Sequence, residues 1–123
     1  MEAANGEWYV VLKLFPGYTE CPTQPDSWHQ YGVANGEMQY DDFSYTIAPG
    51  FWRADRDTPR LPRLSESAWR QNVINMVASR EPWQLIVSFN EAGEGTMIEA
   101  SDAWSSDTDY GFYLDSLHDH HCW

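Results

Sequence analysis

The chain has 123 residues, 42% of them hydrophobic, which gives room for one domain with a modest core. Its formal net charge of −12 at pH 7 argues against nucleic acid or an anionic membrane as a partner, because both attract positive potential. No stretch approaches the roughly 20 apolar residues that span a membrane. No basic-then-apolar secretion signal opens the sequence, so a secreted location would require a signal upstream of it.

A first strand is predicted over residues 8–15, which are rich in β-branched and aromatic side chains and are stopped by Pro16. The only charged residue in this segment, Lys13, lies near its C-terminal end. Two interpretations of Lys13 stay open. It either reaches toward a ligand from the face that it shares with Phe15, or it extends into solvent with its stem along apolar surface.

Residues 18–43 show no helical or strand period and are too long for an idle connection, so a functional loop is predicted there. Asp26 is expected to cap a short helical turn. The turn would carry Trp28, His29 and Tyr31. An aromatic plane beside a polar tip matches a sugar, which has an apolar ring face and a rim of hydroxyl groups. These three side chains are therefore candidate sugar contacts, with a purely structural role for His29 as the alternative.

Residues 44–48 form a second predicted strand, and Trp52 follows it as a further candidate sugar contact. Ser65 is expected to cap a helix that ends near residue 79. One face of this helix collects four apolar side chains, those of Trp69, Val73, Met76 and Val77. A third strand at residues 84–89 follows directly. A strand, a helix and a strand joined by short connections predict a parallel pair.

Four of the seven basic residues follow the second strand: Arg53, Arg56, Arg60 and Arg63. Barrel proteins often bind anions after a late strand, so a phosphate or uronate site is one interpretation of this group. The simpler interpretation is that these side chains balance the acidic surface.

The third strand leads into a loop that carries two close carboxylates, Glu91 and Glu94. The apolar run before them lacks polar alternation, which is typical of a strand buried on both faces in a parallel sheet. Gly93 and Gly95 give the backbone the freedom to turn, so that both carboxylates can face one pocket. Paired carboxylates at the end of a buried strand suggest acid/base chemistry, of which glycoside hydrolysis is the commonest example.

Residues 89–99 read Phe-Asn-Glu-Ala-Gly-Glu-Gly-Thr-Met-Ile-Glu. This segment resembles the Asn-Glu-Trp-x-Glu-Gly-Thr-x-x-Glu signature of endo-α-mannosidase-like glycoside hydrolases, with Ala92 where the signature has Trp. Looser similarity extends to residues 25–31, 48–52 and 110–114. The resemblance implies that Glu94 is a general acid and that Glu91 is a base drawing a proton from the sugar's 2-hydroxyl group. It also places Asn90 and Glu99 in substrate binding, and it implies no cofactor and no metal.

The resemblance carries an expectation about the fold. In such proteins the signature lies at the end of the last strand, so the expected fold is α/β, the C-terminal portion of a (β/α)8 TIM-type barrel with about three parallel strands and two helices. A complete barrel needs roughly 200 residues or more. Residues 1–123 are therefore expected to form a single partial domain, and its open sheet edges would favour self-association.

A final helix is predicted near the end of the chain from the spacing of Tyr110, Tyr113, Leu114 and Leu117. His118, His120, His121 and Cys122 follow. They are metal-ligand types but lack the spacing of a structural zinc site, so a frayed tail is predicted. Two cysteines are not a disulfide framework, so a bridge between Cys21 and Cys122 stays one of two open alternatives.

Three functions are consistent with these patterns. The first is a glycoside hydrolase-like protein that acts on oligo- or polysaccharides with Glu91 and Glu94. The second is a non-catalytic carbohydrate-binding remnant, and the third is an unrelated acidic interaction domain. Hydrolysis of a glycan separates the first from the second. A parallel strand order with Glu91 at a strand end separates both from the third.

Overall fold

The structure, a computed structural model, describes residues 8–120 of the chain. It contains five strands and two α-helices in this range, together with three short 3-10 helices. The elements are β1 Val11–Lys13, β2 Ser27–His29, β3 Glu37–Tyr40, β4 Ser44–Ile47, α1 Glu66–Ser79, β5 Trp83–Ile86 and α2 Phe112–His120. Neither α-helix of the described chain is long and apolar enough to cross a membrane.

The strands form two sheets, and this arrangement corrects the expected fold. β1 pairs with β2 in parallel, while β3, β4 and β5 form a mixed sheet in that order, with β3 antiparallel to β4 and β4 parallel to β5. No portion of a TIM-type barrel is evident among residues 8–120, so the prediction of a barrel piece with about three parallel strands is wrong. The molecule is instead a small α/β domain.

The antiparallel pairing of β3 with β4 is one departure from the parallel sheet that was predicted. β3 and β4 are joined by a tight turn in which Asp42 adopts a left-handed conformation with φ 70° and the Phe43 N–H donates to the Tyr40 carbonyl over 3.0 Å. Asp tolerates this conformation better than most residues. The turn lies at the end of the segment that was predicted to be one long loop, and it makes β3 a hairpin partner of β4.

The helix α1 and the connection around it match the sequence prediction. The Ser65 side chain accepts a hydrogen bond from the Ala68 N–H, and Trp69, Val73 and Met76 are buried. The helix connects the parallel strands β4 and β5 and packs against β4 and α2. The indole of Trp69 donates to the Tyr113 carbonyl over 3.0 Å, and the two rings meet edge to face. Tyr113 thereby anchors α2 to α1 in the main core.

The smaller sheet lies against the larger one where β2 and the residue after it contact β4. The Thr46 hydroxyl donates to the Gln30 carbonyl over 2.8 Å, and Trp28 is buried with only 5% of its surface exposed. Asp26 does not cap a helical turn, because residues 27–29 form a strand and its carboxylate accepts from the Val10 N–H over 2.7 Å. The predicted helical turn is therefore wrong.

Two further predictions, a bridge between the cysteines and self-association through sheet edges, are not tested by the structure. Cys21 is exposed, and its suggested partner Cys122 lies outside the described range, as does His121. The edges of the mixed sheet belong to β3 and β5. Self-association through such edges stays a prediction.

Candidate functional site

The two carboxylates predicted to act together lie on a loop of residues 88–96, here called the acidic loop. Its ends are joined by two bonds between Ser88 and Thr96: the Ser88 N–H donates to the Thr96 carbonyl over 2.9 Å, and the two hydroxyls lie 2.9 Å apart. Thr96 is fully buried beneath the loop and its N–H donates to the Glu91 carbonyl. The acidic loop is thus closed at its base rather than free to change shape.

The environments of the two carboxylates differ. Glu91 is exposed, and its Oε1 atom accepts a hydrogen bond of 2.9 Å from the Gly93 N–H. Glu94 is half-buried, and within the described chain its carboxylate takes part in no hydrogen bond or ion pair. One carboxylate is therefore held by its own loop, while the other is available to a ligand.

Trp52, from the segment after β4, is fixed against the acidic loop. Its N–H donates to the Glu94 carbonyl over 2.8 Å, and the Ala54 N–H donates to the Gly93 carbonyl over 3.0 Å. The indole N–H donates to the Arg56 carbonyl, which fixes the ring, and half of the residue stays exposed. Trp52 and the acidic loop thus lie side by side. This arrangement follows from the parallel pairing of β4 and β5, whose C-terminal ends lie at the same edge.

Tyr31 and Lys13 reach the same edge from the smaller sheet. Partial burial raises the pKa of Tyr31, and the nearby charges of Glu94 and Glu91 raise it further. The Lys13 ammonium lies 4.8 Å from the centre of the Tyr31 ring and 5.1 Å from that of Phe15. Lys13 is exposed and its ammonium group lies over these two rings, which fits both interpretations, so a role toward a ligand stays a prediction.

Four residues that the sequence also suggested as ligand contacts remain to be placed in the structure. His29 pairs with Lys13 in the register of β1 and β2, which places the two side chains on one face. Asn90 and Glu99 are exposed, and the backbone of Glu99 is bonded to Phe89. Trp28 differs from all of these, because its burial leaves no ring face for a sugar.

A cleft of about 790 Å³ adjoins this edge and was not predicted. Its lining includes Lys13 and Tyr31, together with Phe15, Asn35 and Arg60. The alternation of strand side chains could have identified Phe15, because it shares a face with Lys13. No sequence pattern indicates Asn35, which lies in a short 3-10 helix between β2 and β3.

Among the side chains of residues 8–120, no three His, Cys, Asp or Glu residues cluster as ligands for a metal ion. Comparison of the chain with family models, with curated proteins and with solved structures found no match. The chemistry of the acidic loop and its neighbours is therefore the basis on which a function is inferred.

Proposed function

We propose that the protein is glycoside hydrolase-like, binding an oligo- or polysaccharide at the acidic loop and cleaving a glycosidic bond with Glu91 and Glu94. The observation that carries this proposal is the 2.8 Å hydrogen bond from the Trp52 backbone N–H to the Glu94 carbonyl, which holds a residue with a half-exposed indole against the loop that bears both glutamates. An indole offers an apolar face to a sugar ring, while the carboxylates offer acceptors to its hydroxyl groups.

The two glutamates suit different roles. Glu94 is the general acid that protonates the departing glycosidic oxygen, and its half-buried carboxyl group has no competing partner in the described chain. Glu91 is the base that draws a proton from the sugar's 2-hydroxyl group, so that O2 bonds to C1 as the glycosidic oxygen leaves, and water then adds at C1 to complete the hydrolysis. The Gly93 N–H fixes its Oε1 atom, and the Oε2 atom has no hydrogen bond within residues 8–120. Different surroundings for two carboxyl groups are typical of an acid and base pair.

A non-catalytic carbohydrate-binding function is the second candidate, and the exposure of the site favours it. Glu91 is exposed and Trp52 is 50% exposed, so a bound sugar would stay in contact with water. Catalytic sites commonly exclude water in order to strengthen their electrostatic interactions. The same residues would then bind a glycan without cleaving it.

Hydrolysis of a panel of plant, microbial and animal glycans tests the proposal. Glu94→Gln should slow cleavage of an unactivated glycan on the order of 10²–10⁴-fold, and slow an activated aryl glycoside less, because that leaving group needs no proton. Glu91→Gln should slow both substrates alike. Glu66→Gln is the matched control, because this exposed glutamate lies in the first turn of α1, outside the proposed site.

The outcomes separate the two candidates. Equal activity of wild type and Glu94→Gln on an unactivated glycan would end the acid assignment. Glycan binding without hydrolysis, lost in Trp52→Ala, would establish the binding function instead. Neither hydrolysis nor binding across the panel would reject both.

A further inference from the structure

The cleft beside the acidic loop has an unusual charge for this chain. The protein carries 19 acidic and 7 basic residues. The charged side chains that line the cleft are nevertheless Lys13 and Arg60, and within residues 8–120 no Asp or Glu lines it. Lys13 and Arg60 therefore place two positive charges in the cleft of an otherwise acidic molecule, and such charges attract an anionic ligand.

Neither cation is neutralised by a described neighbour. The ion pairs of residues 8–120 engage other basic side chains, those of Arg53, Arg56 and Arg70. The Lys13 ammonium lies over the rings of Phe15 and Tyr31, which orient it without removing its charge. Both cations are thus available to pair with a ligand.

The backbone fixes the position of Arg60. Phe51 and Leu61 form an isolated antiparallel bridge, and the Arg60 N–H donates to the Phe51 carbonyl over 3.0 Å. Phe51 follows β4 and itself lines the cleft. Arg60 therefore lies beside the edge at which the strands end, although it is distant in sequence from Lys13.

The uncharged lining suits a sugar. Phe15 supplies an exposed ring, and Asn35 supplies an amide group that can bind hydroxyls. The Gln30 amide N–H donates to the Gln39 carbonyl, which leaves the amide oxygen of Gln30 as an acceptor. Tyr31 lines the cleft and also lies close enough to Glu94 and Glu91 for their charges to act on it. One glycan can therefore extend from the acidic loop across Tyr31 into the cleft.

We propose that the cleft binds the anionic group, a carboxylate or a sulfate ester, of a sugar residue adjoining the one that the acidic loop engages. This inference rests on the proposed function, because it names the class of glycan for that site. Arg60 presents a planar guanidinium that pairs with an oxyanion through two hydrogen bonds. The acidic loop repels the same group, so the two surfaces together set the register of the glycan.

Binding is measured by calorimetry with matched pairs of oligosaccharides. The pairs are glucose, galactose and mannose oligomers with their C6-carboxylated counterparts, and a galactan with and without sulfate esters. In a pair that binds, we expect the acidic oligosaccharide to bind about tenfold more tightly than the neutral one, because a hydrogen bond to a charged group strengthens binding by about this factor. Added salt should weaken the binding of the acidic oligosaccharide but not that of the neutral one.

Substitutions test whether Lys13 and Arg60 cause the preference for the acidic oligosaccharide. Lys13→Met and Arg60→Gln should each remove most of it, while Arg80→Asn should retain it. Arg80 is the matched control, because it lies before β5, at the end of that strand away from the acidic loop, and Asn tolerates its left-handed conformation. Circular dichroism confirms that each variant is folded, and the salt dependence of the wild type tests the inference without any variant.

The results distinguish failure of the anionic site from failure of the proposed function. A neutral member that binds as tightly as its acidic partner overturns the anionic site and leaves the proposed function standing. A preference that survives in Lys13→Met and Arg60→Gln overturns its location in this cleft. A panel in which no glycan binds rejects the proposed function together with the inference. A preference confined to carboxylates or to sulfate esters supports the inference and identifies the anion.

Discussion

Gly95→Ala tests whether the acidic loop must lie against the segment after β4 in order to hold Trp52. Gly95 has φ 61°, and a Cβ atom built there would lie 3.3 Å from the Trp52 carbonyl oxygen and 3.4 Å from the Trp52 nitrogen. The first contact is tighter than a Cβ atom normally makes, and the second is at the limit of ordinary contact. Because backbone atoms cannot rotate away as a flexible side chain can, the loop and the segment must move apart by a few tenths of an ångström.

The size of the effect follows from two contributions. A residue other than Gly in a left-handed conformation costs about 1–2 kcal/mol. Separation also weakens the hydrogen bonds donated by Trp52 and Ala54 to the acidic loop, each of which contributes about 0.5–1.5 kcal/mol. We therefore expect Gly95→Ala to lower the free energy of unfolding by about 2–4 kcal/mol and to weaken glycan binding about tenfold.

Gly17→Ala is the matched control. Gly17 also has a positive φ, 83°, but nothing lies within 4 Å of the added Cβ atom. Its free energy of unfolding should fall by about 1–2 kcal/mol at most. Because Gly17 lines the cleft, the two variants are compared by stability alone, in urea unfolding followed by tryptophan fluorescence, while calorimetry compares Gly95→Ala with wild type. Equal losses of stability in the two variants would refute the proposed contact.

Two further predictions concern the core and the pH dependence. Trp69→Ala should lower the free energy of unfolding by about 3–5 kcal/mol in urea, because this side chain is fully buried, whereas Ile74→Ala on the exposed face of α1 should cost under about 1 kcal/mol. The pKa of Tyr31 is raised by burial and by Glu94 and Glu91, so the folded chain keeps the phenol proton to higher pH than the unfolded chain. Its contribution therefore lowers stability as the pH rises above about 10. Glu94→Gln should move the Tyr31 titration, followed by tyrosinate absorbance, toward lower pH; no movement would contradict their proximity.

The helix α1 could be predicted because its signals are local and repeated. Ser65 marks its start, and Trp69, Val73 and Met76 recur at a spacing that only a helix places on one face. The structure gives Glu66–Ser79, with these three side chains buried. Local signals of this kind predict a helix correctly even when the expected overall fold is wrong.

The strands β2 and β3 could not be predicted in the same way. They have three and four residues and contain no β-branched side chain, whereas each of the strands that were predicted contains at least one. Their pairing depends on partners elsewhere in the chain. Trp28 illustrates the consequence: inside a presumed loop it is a candidate for a ligand, whereas inside β2 it faces the interior.

The parallel pairing of β4 and β5 was predicted correctly, although the barrel was not. The C-terminal ends of parallel strands lie at one edge whether or not a barrel closes around them, so the segment with Trp52 and the acidic loop are neighbours. That these residues form a sugar site stays a prediction. Arg60 and Asn35 belong to irregular segments, and their approach to the same edge depends on contacts that no sequence pattern records.

The aromatic surface beside the carboxylates comes from a different segment than the resemblance implies. The signature has Trp at position 92, and this chain has Ala92, which contributes a single methyl group to a pocket of about 320 Å³ shared with Gly95 and Trp52. Trp52 supplies the large ring in that pocket, and its position depends on the small size of Gly95. Because an indole at position 92 would share this pocket with the one at position 52, Ala92 is consistent with the arrangement that the structure shows. In the proposed function, the aromatic surface for a sugar would therefore come from Trp52, on the segment that follows β4, and not from position 92.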